Sequence, residues 1–208
     1  MTQVFDLQSI PVYKTKFNYC LSDEENHILF SCKFKHMSEN NNFFSENYYI
    51  LNHKKLDHLK SNIQNILDEY ALEILGIENC LSITQSWIAK TNPGGWHDLH
   101  KHPNSIISCV LYFQTPPSST INFHYRNNIS QNFNLAFDYI KSTKYNQSQF
   151  VLDVNEMDLV IFPSWLNHSV GINDSDIDRI VLGFNTFVFG EVGKNYDYPL
   201  QLNLENNK

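Results

Sequence analysis

The chain has 208 residues, is 42% hydrophobic and 14% aromatic, and carries a formal charge of −7. That is a globular profile, of a length that suits one buried core and leaves little room for a second domain. The acidic balance, with a pI near 5.6 and no Lys/Arg run, excludes a general grip on nucleic acid through phosphate neutralisation. The N-terminal stretch MTQVFDLQSIPVYKTKFN lacks a basic n-region and a long apolar core, so no signal peptide is expected. Residues 1–52 read as a short strand from Ile10 to Lys16 followed by irregular, Asn-rich sequence. Residues 54–75 give the clearest helix: Leu56, Leu59, Ile63, Ile66, Leu67, Tyr70 and Ile74 recur at three- and four-residue steps. From Leu81 the texture changes to short β-rich runs separated by turn formers: SITQSWIAK, TNPGG, SIISCVLYF, QTPPSS and TINFHY. After a polar interruption at 127–149, expected to carry a helix or a lid, come FVLDV, DLVIFP and RIVLGFNTFVFG. No run approaches the roughly 20 apolar residues that span a bilayer. Cys20, Cys32, Cys80 and Cys109 form no CxxC pair and are expected to be reduced, mostly buried thiols of a cytoplasmic protein.

This order predicts an all-β sandwich or barrel with an N-terminal helical layer. As one domain, 1–80 would be strand and helix support, 81–192 the core and 193–208 a tail.

Chemistry concentrates in GGWHDLHKHPNS, which places His97, His100 and His102 within six positions. In an extended chain residues i and i+2 share a face, so His100 and His102 can present two imidazoles together. Imidazole suits Fe, Zn, Cu and Ni. Histidines beside a turn are also ordinary polar surface, but three so close weigh against that reading. His168, just beyond DLVIFP and a Pro-Ser-Trp turn, is the candidate third ligand. Arg179 then opens the last strong strand. A guanidinium entering a buried strand is costly unless it meets an anion; it either binds a carboxylate or pairs with Asp176 or Asp178. Trp87, Trp96 and Trp165 read as core or pocket wall, and His124 as a structural histidine. Asp153, Glu156 and Asp158 read as bounding a turn.

The ordered residues Ser86-Trp87, His100-Lys101-His102-Pro103-Asn104-Ser105, Ser108, Tyr112, Phe162-Pro163-Ser164-Trp165, His168, Arg179 and Phe184-Asn185 resemble a family of 2-oxoglutarate/Fe(II) oxygenases common in marine phages and bacteria. The likeness covers about 83–189. More broadly the chain is similar to double-stranded β-helix (jelly-roll) oxygenases, in which a His-x-Asp/Glu pair is followed 50–70 residues later by a His and about ten residues beyond by an Arg. The resemblance implies Fe(II) held by His100, His102 and His168. It implies 2-oxoglutarate paired through its distal carboxylate with Arg179, and a hydrogen bond from Tyr112 or Ser108. The implied reaction consumes O2, decarboxylates 2-oxoglutarate to succinate and hydroxylates a substrate C–H bond. His102 stands where the broader superfamily places a carboxylate, and Asp98 is an alternative carboxylate donor. Cys109 replaces a usual Gly, and Val181 a usual hydroxyl residue. Two other readings remain: a three-His dioxygenase or isomerase that does not use 2-oxoglutarate, and a non-catalytic jelly-roll binding module.

Overall fold

The computed structural model describes residues 3, 5, 9–36, 40–125 and 136–202. Two antiparallel sheets face one another. The larger contains β1 (Tyr13–Lys16), β2 (Phe34–His36), β3 (Asn42–Ser45), β4 (Leu81–Thr91), β6 (Ile107–Gln114), β9 (Asp158–Pro163) and β11 (Arg179–Val188), in the order β1-β9-β6-β11-β4-β3-β2. The smaller contains β5 (His97–His100), β7 (Thr120–His124), β8 (Gln149–Asp153) and β10 (Asn167–Val170), in the order β5-β10-β7-β8. A separate hairpin pairs β12 (Gly190–Val192) with β13 (Leu200–Leu202). This is the mainly β architecture that the runs of short strands predict, in the jelly-roll form that the resemblance implies.

Strand alternation gives the large sheet two different faces. One face presents Ile107, Cys109 and Leu111 of β6, Leu159 and Ile161 of β9, and Leu182 and Phe184 of β11. These pack with Leu59, Ile63 and Leu67 of α2 (Asp57–Glu69) and Leu29 of α1 (Asp23–Phe30). The opposite face turns Tyr112, Val160 and Phe162 toward Ile121 and Phe123 of the small sheet.

Several expectations need correction. The predicted helix is three segments: a 3-10 turn over Lys54–Leu56, α2, and a π-helical turn over Tyr70–Leu75. The N-terminal strand begins at Tyr13, not Ile10. The irregular region before residue 52 supplies α1, β2 and β3. Helix α1 starts at a capping box in which Ser22 Oγ accepts from the Glu25 amide and Glu25 Oε2 from the Ser22 amide. The predicted tail includes β13. Only Cys109 among the free cysteines is fully buried, while Cys20 and Cys80 are exposed. The helix or lid expected over 127–149 falls partly outside the described residues; those from 136 to 148 contain turns and no helix.

Candidate active site

The TNPGG turn sets the approach to the site. Gly95 passes so close to the chain before β3 that a Cβ would lie 2.7 Å from Asn41 O and 2.9 Å from Asn40 O, both backbone atoms. Only glycine fits there. The chain then enters β5, whose pairing with β10 sets His100 directly opposite His168. In the same ladder Val170 pairs with His97, so a step of three residues along β5 matches a step of two along β10. This bulge lets His97 and His100 face one pocket, although residues three apart on a regular strand point to opposite sides. Their rings stack at 3.9 Å. His102 lies two residues beyond the end of β5, so regular i, i+2 strand geometry is not what places it. Its amide donates instead to Ser164 O at 3.0 Å, in the turn between β9 and β10.

One ligand-capable atom from each of His100, His102 and His168 lies within 4.8 Å of the others. His100 Nδ1 lies 2.7 Å from Asp98 O, and His168 Nδ1 3.0 Å from Leu166 O. A carbonyl only accepts, so both Nδ1 atoms carry the proton and both Nε2 atoms keep a lone pair. His102 Nε2 and His168 Nε2 approach to 3.3 Å. Burial lowers the pKa of all three, to about 4 for His102 and about 2 for His168, with the other imidazoles adding to the effect in those two. Each is therefore neutral at pH 7, the form that binds a metal. Phe162 meets His168 edge-on at 4.7 Å, and Trp87 stacks on His102 at 5.6 Å. Trp87 takes that position because residue 183 is glycine: a Cβ there would come within 2.7 Å of the indole.

The same pocket, about 520 Å³ counting its open mouth, is lined by these histidines and His97 and by Tyr112, Val181 and Arg179. Arg179 is 5% exposed. Among the described residues no carboxylate pairs with it; Asp178 is taken by Lys90 at 3.0 Å. Arg179 Nη1 reaches Gly171 O at 3.5 Å, and Nη2 is buried with no hydrogen-bond partner. Burial lowers its pKa, partly offset by Tyr112. Neutral imidazoles converging on one point, beside an unsatisfied buried cation, fit a divalent metal together with an anion.

The family model described as "Putative 2OG-Fe(II) oxygenase" matches residues 85–185, a span that contains all three clustered histidines and Arg179. Over that span the chain is similar to the 2OG-Fe(II) oxygenases. No functionally curated protein matches this chain in sequence. Solved structures share its fold at low identity. HygX from Streptomyces hygroscopicus, solved with nickel, 2-oxoglutarate and hygromycin B, has a TM-score of 0.59 at 8% identity, covering 85% of this chain and 82% of that one. The epimerase SnoN from nogalamycin biosynthesis has a TM-score of 0.60 at 9% identity, with coverages of 88% and 84%. A Pseudomonas putida prolyl-4-hydroxylase has a TM-score of 0.56 at 12% identity, with coverages of 86% and 92%.

The fold does not bring every expected residue to the pocket. Ser108 is buried away from its wall, with its hydroxyl bonded to Ser164 Oγ and Asn185 Oδ1, both at 2.8 Å. Asp98 stands outside the histidine cluster: its Oδ1 accepts from Trp96 Nε1 at 2.8 Å and its Oδ2 from Asn40 Nδ2 at 3.4 Å. Trp165, read as core or wall, is 59% exposed. His124 is satisfied by Ser169 Oγ at 2.9 Å, as a structural histidine should be. Asp158 is more than a turn residue: it is buried, with Lys14 at 3.6 Å and Lys16 at 3.5 Å. Sequence reasoning missed Asn42 and Phe44 as pocket lining. Both sit on β3, in the stretch read as irregular, and no spacing signal marked them.

Proposed function

We propose that the protein is an Fe(II)- and 2-oxoglutarate-dependent oxygenase that hydroxylates its substrate. His100, His102 and His168 would hold the metal and Arg179 the distal carboxylate of 2-oxoglutarate. One observation carries the reading: a single pocket contains a metal-capable imidazole set and a buried guanidinium with an unsatisfied Nη2.

Each imidazole offers a lone pair without first losing a proton, because burial already keeps it neutral. The Nδ1 contacts of His100 and His168 to backbone carbonyls fix ring orientation. Three neutral ligands leave the ion's double charge uncompensated, which favours a dianionic cosubstrate over a neutral one. Arg179 would anchor that dianion at its far end through paired N–H donors. The Tyr112 hydroxyl, whose pKa burial pushes up, stays protonated and can donate a hydrogen bond to it. Val110, Ile121, Val170 and Val181 supply an apolar wall that limits water. When bound, iron and cosubstrate would supply the oxidising chemistry, with O2 as oxidant giving one oxygen atom to the substrate and one to succinate as CO2 is released. Among the described residues no carboxylate lines the pocket, and none of the residues named has to act as a general base.

The test is succinate formation by the purified protein with Fe(II), 2-oxoglutarate and air, with and without mixtures of small-molecule and peptide substrates. Metal- and 2-oxoglutarate-dependent succinate is expected. No turnover under any mixture, together with no thermal shift from 2-oxoglutarate on the Mn(II)-loaded protein, would overturn the proposal.

A further inference from the structure

Ser105, Ser108, Ser164 and Asn185, from the segments HPNSxxS, FPSW and FN, lie outside the roles assigned above, yet the fold joins them in one hydrogen-bonded chain. Ser105 Oγ lies 2.6 Å from Ser164 Oγ, Ser164 Oγ 2.8 Å from Ser108 Oγ, and Ser108 Oγ 2.8 Å from Asn185 Oδ1. Asn185 Nδ2 continues to Gln85 Oε1 at 3.1 Å. Its direction follows from donor chemistry. Asn185 Nδ2 donates to Gln85, so Oδ1 is the acceptor that faces Ser108, and Ser108 must donate to it. Ser108 therefore accepts from Ser164, while the Ser105 hydroxyl has three acceptors within reach: Ser164 Oγ and the carbonyls of Ile107 at 3.0 Å and Thr186 at 3.2 Å. Five segments are joined in this way: the β5–β6 loop, β6, the β9–β10 turn, β11 and β4.

Ser164 is the junction. Its carbonyl accepts from the His102 amide at 3.0 Å, and its own amide donates to Ile106 O at 3.0 Å. His168 follows four residues later, across the turn that Ser164 helps to form. A shift of Ser164 therefore moves the backbone of His102 and the approach to His168 together. The two rings it separates are those whose Nε2 atoms stand 3.3 Å apart.

We infer that Ser105, Ser164, Ser108 and Asn185 form a positioning brace that sets the spacing of His102 and His168 and hence the affinity and geometry of the metal site. The inference rests on the three-histidine reading. None of the four residues lines the pocket or belongs to the histidine cluster.

Co(II) binding tests it, read by titration and by visible absorption, which reports coordination geometry. Ser164→Ala removes the junction. Ser86→Ala is the matched control: Ser86 is equally buried, its hydroxyl accepts from the Leu51 amide at 2.9 Å, and it belongs to the helix-side packing. Ser164→Ala should weaken Co(II) binding by roughly tenfold or more, the effect usual for outer-shell partners, and change the band shape. Ser86→Ala should lower the melting temperature but leave affinity and spectrum at wild type. Should Ser164→Ala fail to fold, Ser105→Ala cuts the chain at its more accessible end and should show the same changes in smaller measure. Equal Co(II) affinity and identical spectra in wild type and the brace variant would overturn the brace while leaving the ligand set intact. A wild-type protein that binds no Co(II) would overturn both.

Discussion

The two faces of the large sheet are built by the same strands, yet they differ in what they leave unsatisfied. On the helix side Ile107, Leu111, Ile161, Leu182 and Phe184 meet Leu59, Ile63 and Leu67, and the apolar surfaces close on each other. On the other side β11 offers Arg179, Val181 and Gly183 to a pocket of about 520 Å³, and the imidazoles of His97, His100, His102 and His168 face into it. One face stores stability in apolar burial. The other buries a second apolar cluster around Phe123 and Phe162 and, beside it, holds a desolvated cation and several basic nitrogens whose partners would be a metal and a dianion. Stability and function are separated by the alternation of a strand, so substitutions one residue apart should affect different properties.

The sharpest test of that separation is Arg179→Met. Loss of the guanidinium should weaken 2-oxoglutarate binding to the Mn(II)-loaded protein by about 2–5 kcal/mol, as when one partner of a buried charge pair is truncated. The ligand-free protein should melt at the same temperature or higher, because an uncompensated buried charge is gone. Calorimetric titration and a thermal melt check the two halves; a large drop in ligand-free stability would break the comparison. On the opposite face, Ile63→Ala should cost about 2–5 kcal/mol of stability through a core cavity, measured by chemical denaturation, with 2-oxoglutarate affinity unchanged. Gly183→Ala lies between the two, since its new methyl group would push Trp87 against His102. A cost of about 1–3 kcal/mol from overpacking is expected, together with altered metal binding that Ile63→Ala does not show.

A further effect, separate from any substitution, is acid sensitivity of the metal-free protein. The folded-state pKa values are depressed, to about 3 for His97, about 4 for His102 and about 2 for His168. Unfolded, these groups titrate near 6.5. Below that pH the unfolded chain binds more protons than the native site, so stability falls as pH drops from about 6.5 toward 4, by up to about 1.4 kcal/mol per pH unit for each imidazole. Above pH 6.5 the effect vanishes. Denaturation midpoints at pH 7.5, 6 and 5 measure it, and a flat profile would contradict the burial of these rings.

Much of this division was legible in the sequence. The three- and four-residue spacing from Leu56 to Ile74 marked the helix because one face had to be apolar, and β4, β6, β9 and β11 read as strands for the matching reason. The clustered histidines and the buried Arg179 stood out because such groups are costly without partners. What stayed hidden depends on distant pairing. Strand β3 is an Asn-Phe-Phe-Ser segment whose neighbour β4 follows some 40 residues later, so Asn42 and Phe44 carried no local sign of lining a pocket. The bulge that turns His97 inward is a property of the β5–β10 register and not of β5 alone. Ser108 pointed to the right region but the wrong partner: its alternation is correct, and its hydroxyl is consumed by Ser164 and Asn185.

The central claim is that the imidazole cluster and Arg179 form one site for a metal and a dicarboxylate. The most direct measurement is a crystal structure grown without oxygen in the presence of Mn(II) and 2-oxoglutarate. The account predicts Mn(II) bound by His100, His102 and His168, and the distal carboxylate on Arg179 Nη2. Metal bound elsewhere, or Arg179 left without the carboxylate, would contradict it.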